Sequence, residues 1–312
     1  MRKIVIVADY VCNNECISCA RKSDEKGSLS IDQIIEKLEL IHPSEEDYIE
    51  LSGGEPTLRE DLFDICTYIK ANFNTSLIML SNGRKFNDKS FAKKIKEVGV
   101  DRVMTAFYSH HEEIHDSITK RKGSFLETVS GLKNLEEIGM PISVKTIVLK
   151  QNYQQLSDFV RFAYDTFPSA WVSIHGLIMR GDASDNREEI VVRYKDMKMH
   201  IEDALDEAIK RDKNLGIFII PSCTIDPVYW PYLGKNWKHM THEMIYVSPE
   251  TIKFGNLDVA QPDYCSECMV SENCSWAWES AWKEYTKMFG SSELSKVTAS
   301  QLRYSYEDNK CK

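Results

Sequence analysis

Short runs of β-branched and aliphatic residues recur along the first part of the chain, each pair separated by enough sequence for one amphipathic helix. Lys3 to Val7, Asp47 to Leu51, Ser76 to Leu80, Asp101 to Phe107, Ile142 to Leu149 and Trp171 to Leu177 read as strands. Helical patterns lie between them, so the strands are expected to be parallel. Ser30 with Gln33, and Ser124 with Glu127, have capping-box spacing at helix starts, while Gly83, Gly99 and Gly139 punctuate helix and strand ends. Six βα units over roughly residues 1 to 180 predict an α/β fold, wound by right-handed crossovers into a barrel-like sheet whose strand C-termini share one ligand-binding rim.

A long helix is expected from about Asn186 to Asp212, and after Gly216 the style changes. Pro221, Pro227, Pro231, Pro249 and Pro262 mark a loop-rich stretch, with a hairpin predicted between Met244 to Val247 and Thr251 to Phe254. The division expected is therefore a main domain over 1–214 and an annex over 215–312. There is no internal repeat beyond the βα alternation.

At 312 residues and 42% apolar, the composition is that of a folded protein rather than a disordered one. No apolar run reaches the roughly 18 residues of a membrane span, and no cleavable leader precedes Lys3, so a cytoplasmic protein without membrane partners is expected. Thirty-nine basic against 48 acidic residues give a net charge of −9, which disfavours nucleic acid as a partner. Nine cysteines are an odd number in a chain of this length, which points to metal binding or catalysis rather than a disulfide framework.

Cys12, Cys16 and Cys19 form a CxxxCxxC set directly after the first strand. Zinc normally takes four ligands in paired CxxC spacing, whereas an iron-sulfur cube accepts three cysteines and leaves one iron open. Gly53, Gly54, Glu55 and Pro56 follow the second strand, where glycines permit close backbone approach and Glu55 offers an acceptor for an ammonium group. Together with the βα units, these motifs resemble the radical S-adenosylmethionine superfamily, with its partial (β/α)6 TIM-like barrel, over about the first 185 residues.

The resemblance implies that Cys12, Cys16 and Cys19 hold a 4Fe-4S cluster whose open iron is chelated by S-adenosylmethionine, and that Gly53, Gly54, Glu55 and Pro56 contact its methionine amino group. It also places Asn82, Ser109 and Lys145 at strand positions where the superfamily holds ribose or carboxylate. Ser18 departs from the aromatic or large apolar residue usual before the third cysteine, which implies altered adenine packing. His110, His111 and His115 read as surface and helix-start residues, and Cys66 as a buried apolar one.

Cys265, Cys268 and Cys274, preceded by Cys223, resemble the auxiliary-cluster domains called SPASM or twitch. The last cysteine of that pattern is replaced by Trp278, so one auxiliary 4Fe-4S cluster is expected, with Cys223 as fourth ligand and Cys311 as its competitor. A zinc knuckle using His239 or His242 is the alternative. Trp276, Trp278, Trp282, Tyr285 and Phe289 read as a core stripe shielding that site.

The activity implied is formation of a 5'-deoxyadenosyl radical that abstracts a substrate hydrogen, with a flavodoxin or ferredoxin as reductant and a peptide or protein as substrate. A small-molecule substrate is the alternative within the same chemistry, and a non-catalytic iron-sulfur or zinc protein the alternative outside it. Should Cys223 not be a ligand, it becomes a candidate hydrogen donor.

Overall fold

The computed structural model describes residues 2–22, 24, 26–233, 241–245, 252–254, 263–271, 274 and 279–298. The strands are β1 (Arg2–Val7), β2 (Tyr48–Ser52), β3 (Ser76–Ser81), β4 (Arg102–Ala106), β5 (Ile142–Ile147), β6 (Trp171–His175), β7 (Leu215–Phe218), β8 (Thr241–Ile245) and β9 (Ile252–Phe254). Between the early strands run α1 (Ile31–Ile41), α2 (Leu62–Asn72), α3 (Lys89–Glu97), α4 (Glu112–Thr119), α5 (Ser124–Glu137) and α6 (Leu156–Thr166). Then come α7 (Gly181–Asp185), α8 (Arg187–Ile190), α9 (Tyr194–Lys210) and α10 (Glu279–Phe289). None of the described helices is long and apolar enough to cross a membrane.

One sheet contains all nine strands, in the order β7-β6-β5-β4-β3-β2-β1-β8-β9. Each of β1 to β6 pairs in parallel with the next, as the βα alternation predicts, and all six expected strands are present. The seventh, β7, was not expected. It has only four residues and carries Gly216, which a β-propensity reading treats as a break. The glycine is there because a Cβ would lie 2.8 Å from the Trp171 ring and 2.7 Å from the Phe218 ring.

The hairpin forms, but as an extension of the main sheet: β8 pairs with β1 in parallel and β9 with β8 antiparallel. Its turn lies outside the described residues. The long helix is divided into α8 and α9 because the β-branched pair Val191–Val192 leads into Arg193, whose backbone is extended.

The two faces of the sheet differ. Ile49, Leu51, Leu77, Met79, Val103 and Val172 lie under the helices and are 0% exposed, so this face holds the core. Their alternates, including Glu50, Leu80, Met104, Lys145 and His175, face the inside of the curved sheet.

Helix caps hold the rim loops. Ser30 and Gln33 form the expected capping box on α1. Ser124 does not cap α5. Gly123 occupies the cap position, and Asp116, on the preceding helix, accepts from Gly123 N at 2.5 Å and Phe125 N at 2.8 Å, while Ser124 Oγ donates to it at 2.8 Å. Cys66 is fully buried, as expected. His115 is not a surface residue: it is 1% exposed, and its Nδ1 accepts Tyr108 N–H at 3.2 Å.

Burial pushes the His115 pKa down from 6.5 to about 4. The unfolded chain takes up a proton near pH 6.5 and the folded one resists until about pH 4, so stability is complete above 6.5 and lost as pH falls through this window. Urea unfolding at pH 7 and pH 4.5 should show a loss of about 2–3 kcal/mol that the His115→Gln variant does not share.

Candidate active site on the rim of the sheet

The loop after β1 carries Cys12, Cys16 and Cys19, and backbone hydrogen bonds hold it from several sides. Gly54 N donates to Asp9 O at 2.8 Å and Glu55 N to Val11 O at 2.7 Å. From α4, Thr119 O and Ile118 O accept Glu15 N and Ile17 N, both at 2.9 Å. Ala183 N of α7 donates to Cys19 O at 2.9 Å. Arg84 adds side-chain bonds to Asn13 O at 2.6 Å and Asn14 Oδ1 at 2.8 Å.

The glycines make this approach possible. A Cβ on Gly54 would lie 1.8 Å from Val11 O, and one on Gly53, where φ is +140°, would lie 2.5 Å from Asp9 O. They serve the seam between two loops, a reason not visible in the motif alone. Glu55 is 1% exposed and is likewise engaged within the protein. Its Oε1 accepts from Thr57 N at 3.1 Å, Thr57 Oγ1 at 2.7 Å and Ser81 Oγ at 2.8 Å, and its Oε2 from Asn82 N at 2.6 Å. Burial nevertheless raises its pKa. Asn82 Nδ2 then reaches back to Asn13 Oδ1 at 2.6 Å, tying the end of β3 to the cysteine loop.

These loops surround a cavity of about 910 Å3 inside the curve of the sheet, lined by all three cysteines, Gly53, Gly54, Glu55 and Asn82. Lys145 and His175 form part of its wall. Pro56 is buried at the start of a 3-10 turn and does not line the cavity, and Ser109 is also buried outside it, its Oγ accepting His111 N–H at 3.0 Å. Tyr108, His175 and Ile219 are among the lining residues that escaped the sequence reading. Tyr108, just beyond β4, is buried and accepts a hydrogen bond from Ser18 Oγ at 3.2 Å, so a residue distant in sequence stands beside the cysteine loop. His175 ends β6, and Ile219, after β7, has φ 59°, a strained value for a β-branched residue.

The sequence profile of the Radical SAM superfamily matches residues 9–163, which span the cysteine loop, the glycine shelf at Gly53–Glu55 and β2 to β5. This chain belongs to the radical SAM superfamily. It is 28% identical over 166 residues to a probable GTP 3',8-cyclase of Sulfurisphaera tokodaii, covering 52% of this chain and 51% of that protein. An AdoMet-dependent heme synthase of Methanosarcina barkeri is 25% identical over 181 residues, covering 56% and 50%. In fold, the chain is similar to Streptococcus suis SuiB bound to its precursor peptide SuiA, with a TM-score of 0.58 and 14% identity over 78% of this chain and 57% of that one. The chain thus spans about half the length of these two curated relatives.

The donor set of the loop fits the cluster implied by the superfamily. Burial, with Cys19 and Cys12 close by, pushes the Cys16 thiol up to about 12. Three thiolates crowded together in this way need a cationic centre among them, as iron would provide.

In the C-terminal region, burial and then the neighbouring Cys274 and Cys268 push Cys223 up to about 11, placing three of the expected ligands together. Backbone amides face two of the sulfurs: Ser222 N donates to Cys274 Sγ at 3.4 Å and Val297 N to Cys268 Sγ at 3.3 Å. Cys268 N donates to Cys265 O at 3.1 Å, which keeps Cys265 beside them. Among the described residues, no three His, Cys, Asp or Glu side chains stand close enough to hold a single metal ion. His239, Trp276, Trp278 and Cys311 lie outside the described residues, as does the side chain of His242. Tyr285 is buried, its hydroxyl bonded to Glu293 Oε2 at 2.6 Å and Tyr194 N at 2.9 Å.

Gly54→Ala should force the two rim loops apart, costing about 1–3 kcal/mol in thermal unfolding and lowering the iron bound per chain after anaerobic reconstitution. The surface change Leu40→Ala should alter neither.

Proposed function

We propose that this chain is a radical S-adenosylmethionine enzyme that abstracts a hydrogen atom from a substrate seated in the rim cavity. The observation that carries the reading is the joining of the CxxxCxxC loop and the Gly53–Glu55 shelf over one cavity by direct backbone bonds. The cluster, when bound, supplies an electron to cleave S-adenosylmethionine and so generates the 5'-deoxyadenosyl radical. Cys12, Cys16 and Cys19 hold it. Gly53 and Gly54 bring their backbone against the methionine end, and Glu55 fixes the shelf and the end of β3 through its four bonds. Asn82 supports the far side. Cys12 is exposed and Val11 beside it is 62% exposed, which gives a flavodoxin- or ferredoxin-type reductant its point of approach.

A small organic substrate is the reading we favour, because the sequence relatives named above are a cyclase of GTP and a heme synthase and because the cavity is of small-molecule size. A peptide substrate is the second reading, supported by the SuiB complex with its precursor peptide. In either case Cys223, Cys265, Cys268 and Cys274 hold one auxiliary 4Fe-4S cluster.

Anaerobic reconstituted protein given dithionite and S-adenosylmethionine should form 5'-deoxyadenosine, and Cys16→Ala should form none. Absence of the product from wild-type protein with its cluster intact would sink the proposal. Metal analysis should find about eight irons per chain, whereas about four irons with one zinc would replace the auxiliary cluster by a zinc site.

A further inference from the structure

One charge inside the sheet has no counter-ion of its own. Lys145, on β5, lines the cavity, and among the described residues no hydrogen bond or ion pair reaches its Nζ. The carboxylate that acts on it is Glu50, whose Oε2 is already 2.7 Å from Lys3 Nζ. The carboxylate that acts on Lys145 is thus already engaged by a second ammonium group. His175 faces the same wall without adding charge, since burial and the two lysines push its pKa down to about 3. Its Nε2 lies 3.0 Å from Ser173 Oγ, and its ring stacks on Phe218 with centroids 4.9 Å apart. Burial also lowers the Lys145 pKa. An enclosed cation without a partner is costly, and the cost is removed when an anion arrives.

We propose that Lys145 is the receptor for an anionic group of the substrate, a carboxylate or a phosphate, with His175 as its uncharged neighbour. The proposal rests on the reading above that the substrate occupies this cavity. The resemblance alone puts Lys145 among the S-adenosylmethionine contacts. Its electrostatic partners point elsewhere: Lys3 lies near the start of β1 and Glu50 in the middle of β2, both removed from the cysteine loop and glycine shelf where the methionine end belongs. An oxyanion held there would anchor the substrate below the rim and leave its other end toward the cofactor.

The test uses reconstituted holoenzyme saturated with S-adenosylmethionine, as wild type, Lys145→Met and Lys145→Gln. Thermal unfolding is followed in sodium phosphate and in sodium acetate, each against sodium chloride of equal ionic strength, and cofactor affinity is measured by equilibrium dialysis. One of the two anions should raise the wild-type midpoint by several degrees, phosphate indicating a phosphorylated substrate and acetate a carboxylate. Both variants should lose that response while binding S-adenosylmethionine within about twofold of wild type. In chloride alone Lys145→Met should unfold at a higher temperature than wild type, which a lysine retained for structure would not allow.

Loss of about tenfold in cofactor affinity in both variants would overturn the proposal and assign Lys145 to the methionine carboxylate. A wild-type midpoint indifferent to both anions would overturn it as well. Formation of 5'-deoxyadenosine by the wild type is scored separately, so failure of the radical chemistry and failure of the anion site give different results.

Discussion

Two backbone hydrogen bonds, from Gly54 to Asp9 and from Glu55 to Val11, determine what the rim can do. They are possible only because Gly53 and Gly54 have no side chain to keep the loops apart. Once the seam closes, the carboxylate of Glu55 is carried into the protein and orders Thr57, Ser81 and Asn82 around itself. Asn82 returns to Asn13, so the chain of contacts ends on the cysteine loop where it began. The site is therefore positioned mainly by main-chain geometry, to which the Arg84 side chain adds two bonds.

The sheet separates stability from chemistry by its two faces. Aliphatic side chains under the helices are fully buried and supply the apolar stabilisation expected of a parallel sheet. The inward face holds Lys3, Glu50, Lys145 and His175, groups that no packing argument would choose. Polar residues in such a place weaken the core they replace, and their value lies in what they bind.

The legible parts of the molecule were those with strong local signals. Six strands and the α1 capping box follow from spacing and residue type alone. What escaped depends on partners distant in sequence. Gly216 in β7 is read as a break unless the Trp171 and Phe218 rings are known to crowd it. Asp116 caps a helix to which it does not belong, which displaces Ser124 from the expected role. Tyr108, from beyond β4 and 90 residues away in the chain, sets its hydroxyl against Ser18 of the cysteine loop. The inward direction of Lys145 needed the phase of β5, which the register with β4 and β6 settles.

The placement of β8 bears on the order in which the molecule is built. β1 gains one neighbour from β2 early in synthesis, but its second neighbour begins at Thr241, after most of the chain has been made. The strand that delivers the cysteine loop is thus left as an open edge until late, and the loop that completes it spans more than two hundred residues. Until Thr241 to Ile245 have been made and paired, the cysteine loop follows an edge strand.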